Sequence, residues 1–167
     1  MPLIMPQVPI RGFSPVALSD ASAAGLRVVV VRALWNDVIV SSLALGCKTT
    51  LEARGAAVDF LTVAGAFELP YVARLAAESG KYDAVIAIGC LFKGDTMHFE
   101  YVSEAVVRGL MDLNLRGSVP IINGVLHCFT EEQATSRAGL AEGSHNHGED
   151  FALAAMQQVA VRKQLML

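Results

Sequence analysis

KYDAVIAIGCLFKGDTMHFEY, residues 81–101, holds the pattern from which the rest of the chain can be read. The apolar run from Ala84 to Ile88 ends in Gly89-Cys90, the short loop Lys93-Gly94-Asp95-Thr96 follows, and His98 opens an amphipathic segment. An unbroken apolar run suits a strand covered on both faces. Beyond the loop, Phe99, Val102, Val106, Leu110 and Leu113 recur at helical spacing. The stretch therefore predicts strand, turn and helix. The unpaired N–H groups of that first helical turn form a place for an anion, and an imidazole two residues further on suits proton transfer near neutrality.

The same unit recurs on either side. Leu26 to Arg32 (LRVVVVR) reads as a central strand, and Asn36 or Asp37 can cap a helix with inward residues Ile39, Leu43, Cys47 and Leu51, closed by Gly55. Val58 to Val63 is a second strand, followed by Ala64 to Glu68 and a helix from Leu69-Pro70 to about Ser79. Val119 to Leu126 is the fourth strand, and Thr130-Glu131-Glu132-Gln133 has the form of a capping box. A loop, Gly143-Ser144-His145-Asn146-His147-Gly148, leads to a last helix from Glu149 to about Lys163. Alternating strands and helices predict an α/β fold: a three-layer α/β/α sandwich around a four-stranded parallel sheet. Ligands of such sheets bind beyond the carboxyl ends of the strands. Those ends carry Trp35-Asn36, Gly65 to Glu68, Cys90 to His98, and Asn123 to Thr130, so the unusual residues gather on one edge.

The 167 residues suit one domain over 26–167, preceded by an extended arm over 1–25 that carries four prolines and lacks the pattern of a secretory signal. Thirteen basic residues against sixteen acidic ones, with no basic stripe, argue against nucleic acid as a partner. No apolar run reaches the roughly 18–20 residues that span a bilayer, so no membrane partner is expected. Hydrophobic residues make up 53% of the chain; tight packing in a monomer or burial between subunits accounts equally well for that surplus. Three cysteines without zinc spacing read as reduced thiols in a cytoplasmic protein. Two histidines two residues apart, His145 and His147, with His127 far away, fit no tight metal spacing, so no metal is expected.

RALWND (32–37), VAGAFELP (63–70), the 81–101 stretch, VPIINGVL (119–126), EEQATSRAG (131–139) and GSHNHGED (143–150) together resemble the lumazine synthase family, and the SHNHGED form resembles its fungal branch. The resemblance covers the chain from about Leu26 onward. It implies a flavodoxin-like scaffold and a transferase of riboflavin biosynthesis. That enzyme condenses 5-amino-6-(D-ribitylamino)uracil with 3,4-dihydroxy-2-butanone 4-phosphate, releasing phosphate and water without metal or organic cofactor. It further implies self-association, here as a free homopentamer rather than a capsid, because the 139–148 loop is longer than in the capsid-forming pattern.

By the same resemblance, Trp35 stacks on the pyrimidine. Ala66, Phe67 and Glu68 hold the ribityl chain and ring; Cys90, Leu91 and Phe92 hold the pyrimidine edge; Asn123 approaches from an adjacent subunit. Asp95 and Thr96, with Arg137, bind the phosphate, His147 stands where bacterial members carry a lysine, and His98 is the acid/base residue. His127 replaces a common threonine, and no role for it is evident from sequence. Each residue also has a plainer reading. A lone tryptophan is often core, an acid such as Glu68 in a first helical turn favours the helix dipole, and Arg137 suits a solvated helix end. A non-catalytic binding protein on this scaffold would need Trp35 and Glu68 but not His98 together with Arg137.

Overall fold

The strands Arg27–Ala33 (β1), Ala57–Val63 (β2), Ala84–Phe92 (β3) and Ile121–Cys128 (β4) form one parallel sheet in the order β2-β1-β3-β4. The computed structural model describes residues 23–166, so the expected arm lies outside the described residues except for its last three. Of these, Ala23 is fully buried and its N–H donates to Arg54 O at 3.1 Å. The helices are Asp37–Glu52 (α1), Leu69–Glu78 (α2), His98–Arg116 (α3), Glu131–Arg137 (α4) and His147–Leu165 (α5).

Alternation along the strands sends side chains to two apolar layers. Val28 and Val30 of β1 with Ile86 and Ile88 of β3 face α1 and α5, through Leu43, Cys47, Leu51, Ala152 and Met156. Val29 and Val31 with Val85 and Ala87 face α2 and α3, through Leu69, Ala73, Val106 and Leu110. Burying each of the larger side chains contributes about 1.5–3 kcal/mol. Both central strands are covered on both sides, which is why they read as unbroken apolar runs, and the three-layer α/β/α sandwich is the observed architecture. The 2-1-3-4 order is that of flavodoxin-like sheets.

Several local expectations are corrected. Asn36 is the residue before α1, but its side chain does not cap that helix. It holds a left-handed backbone (φ 59°) and donates from Nδ2 to Cys90 O at 2.8 Å, tying the turn after β1 to the end of β3. Thr130 accepts from Gln133 N at 3.3 Å as a capping residue should, yet the Gln133 side chain returns to Phe129 N (2.9 Å) rather than to Thr130. β4 begins two residues later than expected and runs on through Cys128. The Asn114 side chain bonds both Ile121 N and Ile121 O, at 2.8 and 2.7 Å, which sets that start. Asn123 is therefore mid-strand, not at a strand end. His147 is the first residue of α5 rather than part of the loop, because Asn146 accepts from Gly148 N at 2.8 Å and starts the helix there.

Candidate active site

In this strand order the chain turns back between β1 and β3, and the crevice beyond their carboxyl ends is where a ligand fits. A cleft of about 750 Å³ lies there, lined by Trp35, Asn36, Gly65, Ala66, Phe67, Glu68, Cys90, Leu91, Phe92, His98 and Val102. Its size suits a small organic molecule. Four segments far apart in sequence build it: the turn after β1, the 3₁₀ turn Ala66–Glu68, the last residues of β3 and the first turn of α3.

The apolar lining is not ordinary core. Trp35 is 73% exposed and Phe67 62% exposed, while Cys90 and Ala66 are buried beneath them. The indole sits close over Gly65, at the surface on a turn tied down through Asn36, and its exposed face has the shape to stack on a flat ring. Glu68 both braces its own turn and faces the cleft. Its Oε2 accepts from Gly65 N at 2.9 Å, which stiffens the turn, and the exposed carboxylate lines the cleft for hydroxyl or N–H donors.

His98 stands at the first position of α3 with its ring exposed to the cleft. The loop before it is braced. Lys93 N donates to Cys128 O at 3.0 Å, Lys93 Nζ pairs with Glu100 Oε1 at 2.6 Å and reaches Thr96 O at 3.3 Å. That ion pair holds the Glu100 carboxyl below the usual range and leaves the Lys93 charge committed to the loop. Asp95 and Thr96 are exposed on the rim beside His98, and Thr96 Oγ1 accepts from His98 N at 3.4 Å.

Five of the residues expected at the site do not line this cleft within one chain: Asp95 and Thr96 stop short of it on the loop before His98, and Asn123, Arg137 and His147 lie elsewhere. Asn123 lies on the sheet-edge strand β4, where its Oδ1 accepts from Val125 N at 3.1 Å. It lines a separate open cavity of about 660 Å³ with Asn114, Ile121 and Gln158. Arg137 ends α4, exposed, with Nη1 on Gln133 O at 2.9 Å. His147 opens α5 near it; burial lowers its pKa, Asp150 opposes this by raising it, and His145 and Arg137 each add a smaller lowering effect. His145 itself is engaged by acids, with Nε2 3.0 Å from Asp150 Oδ2.

Asn36, Gly65 and Val102 also line the cleft; the sequence puts Asn36 and Gly65 on this edge without giving either a role at the site. Asn36 had the signal of a polar residue beside Trp35, but was read as a helix cap; Val102 had only the signal of a helical apolar position. The cysteines are buried thiols. Burial, with Cys128 beside it, pushes Cys90 up to about 12, so it offers the cleft a neutral apolar wall.

A flavodoxin-like α/β fold with an aromatic, carboxylate- and imidazole-bearing cleft at its switch point defines a small-molecule enzyme of the doubly wound class. The family model of 6,7-dimethyl-8-ribityllumazine synthase matches residues 25–163. Proteins of that name are similar over most of their length. The Schizosaccharomyces pombe one is 44% identical over 89% of this chain and 93% of that protein. The Pyricularia oryzae one is 39% identical over 86% and 90%, and the Xylella fastidiosa one 41% over 87% and 96%. The chain belongs to the 6,7-dimethyl-8-ribityllumazine synthase family and is a transferase of riboflavin biosynthesis.

Proposed function

We propose that the cleft between Trp35 and His98 is where this chain condenses 5-amino-6-(D-ribitylamino)uracil with 3,4-dihydroxy-2-butanone 4-phosphate. The observation that carries the assignment is the convergence of Trp35, the Ala66–Glu68 turn, Cys90 to Phe92 and His98 on one cavity. In it the pyrimidine stacks on Trp35 with its edge against Cys90, Leu91 and Phe92, and Ala66, Phe67 and Glu68 receive the ribityl chain. The phosphate lies at the start of α3, held by N–H groups of Asp95 and Thr96 and the Thr96 hydroxyl, with the Asp95 carboxylate turned away. His98 takes up and returns protons as the amine adds to the ketone and phosphate departs. Holding both substrates in one orientation supplies much of the remaining acceleration.

Among the described residues the single-chain cleft lacks a cation to meet the phosphate, since Lys93 is committed to Glu100. Arg137, Asn123 and His147 lie outside it, and they complete it when they come from a neighbouring copy. Leu34 (54% exposed), Val38 (73%), Met97 (55%) and Tyr101 (69%), around the exposed Trp35 and Phe67, form the apolar surface such a neighbour would cover. We therefore read the working form as a homopentamer, free rather than built into a capsid, acting in the cytoplasm with no metal. The described residues contain no helix long and apolar enough to cross a membrane.

Mixing the purified protein with both substrates should yield the green-fluorescent lumazine and free phosphate together, and light scattering should give a particle of five chains. Absence of product from a folded protein would sink the reaction; a particle near sixty chains would replace the pentamer by the capsid.

A further inference from the structure

Helix α3 is fastened to β4 by a polar contact near each end. At the far end Asn114 makes its pair of bonds with Ile121. At the near end His127 Nδ1 lies 2.9 Å from Ser103 Oγ. The same imidazole stands edge-on to Phe99, with ring centroids 6.4 Å apart at 75°. Its Nε2 is closed off from solvent and has no partner among the described residues, where the Ser103 bond is the ring's one polar contact. Burial pushes the His127 pKa down, so the ring is a neutral peg.

Phe99 and Ser103 are four residues apart and share one face of α3. His98 and Val102, also four apart, form the adjacent stripe, the one that lines the cleft. His127 thus grips the stripe next to the one that carries His98. In the sheet it pairs in register with Leu91, another cleft residue. An α-helix with its side chains is about 10–12 Å across, so a rotation of roughly 10° about its axis moves a side chain by about 1 Å. A displacement of that size at a reacting group can cost about 100-fold in rate.

We propose that His127 is a positioning residue: through Ser103 and Phe99 it sets the rotation of α3, and with it the place of the His98 imidazole in the cleft, without touching substrate. The proposal rests on the reading of His98 as the proton-transfer group. Steady-state kinetics of the full chain with both substrates tests it. His127→Phe keeps the ring and loses the Nδ1 bond, while Ser103→Ala breaks the same bond from the helix side. Each should lower kcat by about 10- to 100-fold, with both KM values within about twofold of the parent. Their combination should be no slower than the slower single variant. His127→Asn, whose amide oxygen overlies Nδ1, should keep most of the rate, whereas His127→Gln, which mimics Nε2 instead, should not. Native kcat in His127→Phe and Ser103→Ala, or equal loss in the Asn and Gln variants, would overturn it. His98→Ala in the same assay separates the failures. A native rate there removes the role of His98 and this proposal together, while a slow His98→Ala beside a native His127→Phe removes the proposal alone.

Discussion

The layer of α1 and α5 and the rim beyond the strand ends are built in opposite ways. Where the start of α5 meets α1, around Asn146 and Gly148, the chain closes tightly. Asn146 donates from Nδ2 to Ser42 O at 2.9 Å and accepts from Gly148 N at 2.8 Å, and Ser42 Oγ donates to Ala138 O at 2.8 Å. Cys47 Sγ lies 3.0 Å from Gly148 O. A methyl group on Gly46 would sit 2.7 Å from the Asn146 side chain, and one on Gly148 would run into the Leu43 carbonyl. On the rim, by contrast, Trp35 and Phe67 stand in the open and a carboxylate and an imidazole face a cavity. Side chains that stabilise the fold and side chains proposed to do the chemistry are thus separable, and substitutions in one region should leave the other's property largely untouched.

The largest expected effect is on the rim. His98→Ala should lower kcat by about 10²–10⁴-fold while leaving the melting temperature unchanged. A complete loss of turnover in a folded, substrate-binding variant would mean that His98 does more than move a proton. The next is in the closed layer: Gly148→Ala should cost about 1–3 kcal/mol of stability, because the added methyl must displace backbone. Its kcat at low temperature should stay native, with any change confined to KM for the phosphate-bearing substrate through the adjoining His147, and a lowered kcat in a stable variant would show that the two regions are coupled. Asn146→Ala should cost about 1–2 kcal/mol in denaturant unfolding, from a lost cap and the lost bond to Ser42.

Trp35→Ala should raise KM for the pyrimidine substrate by about three- to tenfold and leave stability alone; a marked drop in melting temperature would make the indole a structural residue. The smallest effect belongs to the Lys93–Glu100 brace. The Glu100 carboxyl is held down by Lys93, so the stabilisation from this pair is present above the ordinary carboxylate range. It is lost as pH falls through the depressed value. Thermal melts of Glu100→Gln should therefore differ slightly from the parent near neutral pH and converge with it in acid; a gap that persists in acid would point to shape rather than charge.

Much of the fold was legible because periodicity reports burial directly. β1 and β3 are covered on both faces, so their residues had to be apolar without interruption. α1 presents one stripe to the sheet, and Ile39, Leu43, Cys47 and Leu51 are all buried. Element ends were less legible, since they depend on particular side-chain bonds. Asn114 decides where β4 starts, and the Asn36 amide left its helix to hold Cys90 O. The site divides in the same manner. Trp35, Glu68 and His98 could be placed on one rim because each follows the carboxyl end of a strand in a parallel sheet. The separation of Arg137 and His147 from that rim could not, because it depends on how far the end of α4 and the start of α5 lie from the switch point.

By itself the amino-acid sequence determined the parallel α/β architecture, the two apolar layers and the rim on which the reactive groups gather. Strand coverage and helical spacing are properties of short segments, and each segment carries its own. What only the tertiary structure decided is which groups meet: that Asn36 ties two loops together, that Lys93 is committed to Glu100, and that His127 seats against Phe99 and Ser103. Such meetings depend on distances of a few ångströms between segments far apart in the chain, and local patterning does not encode those distances.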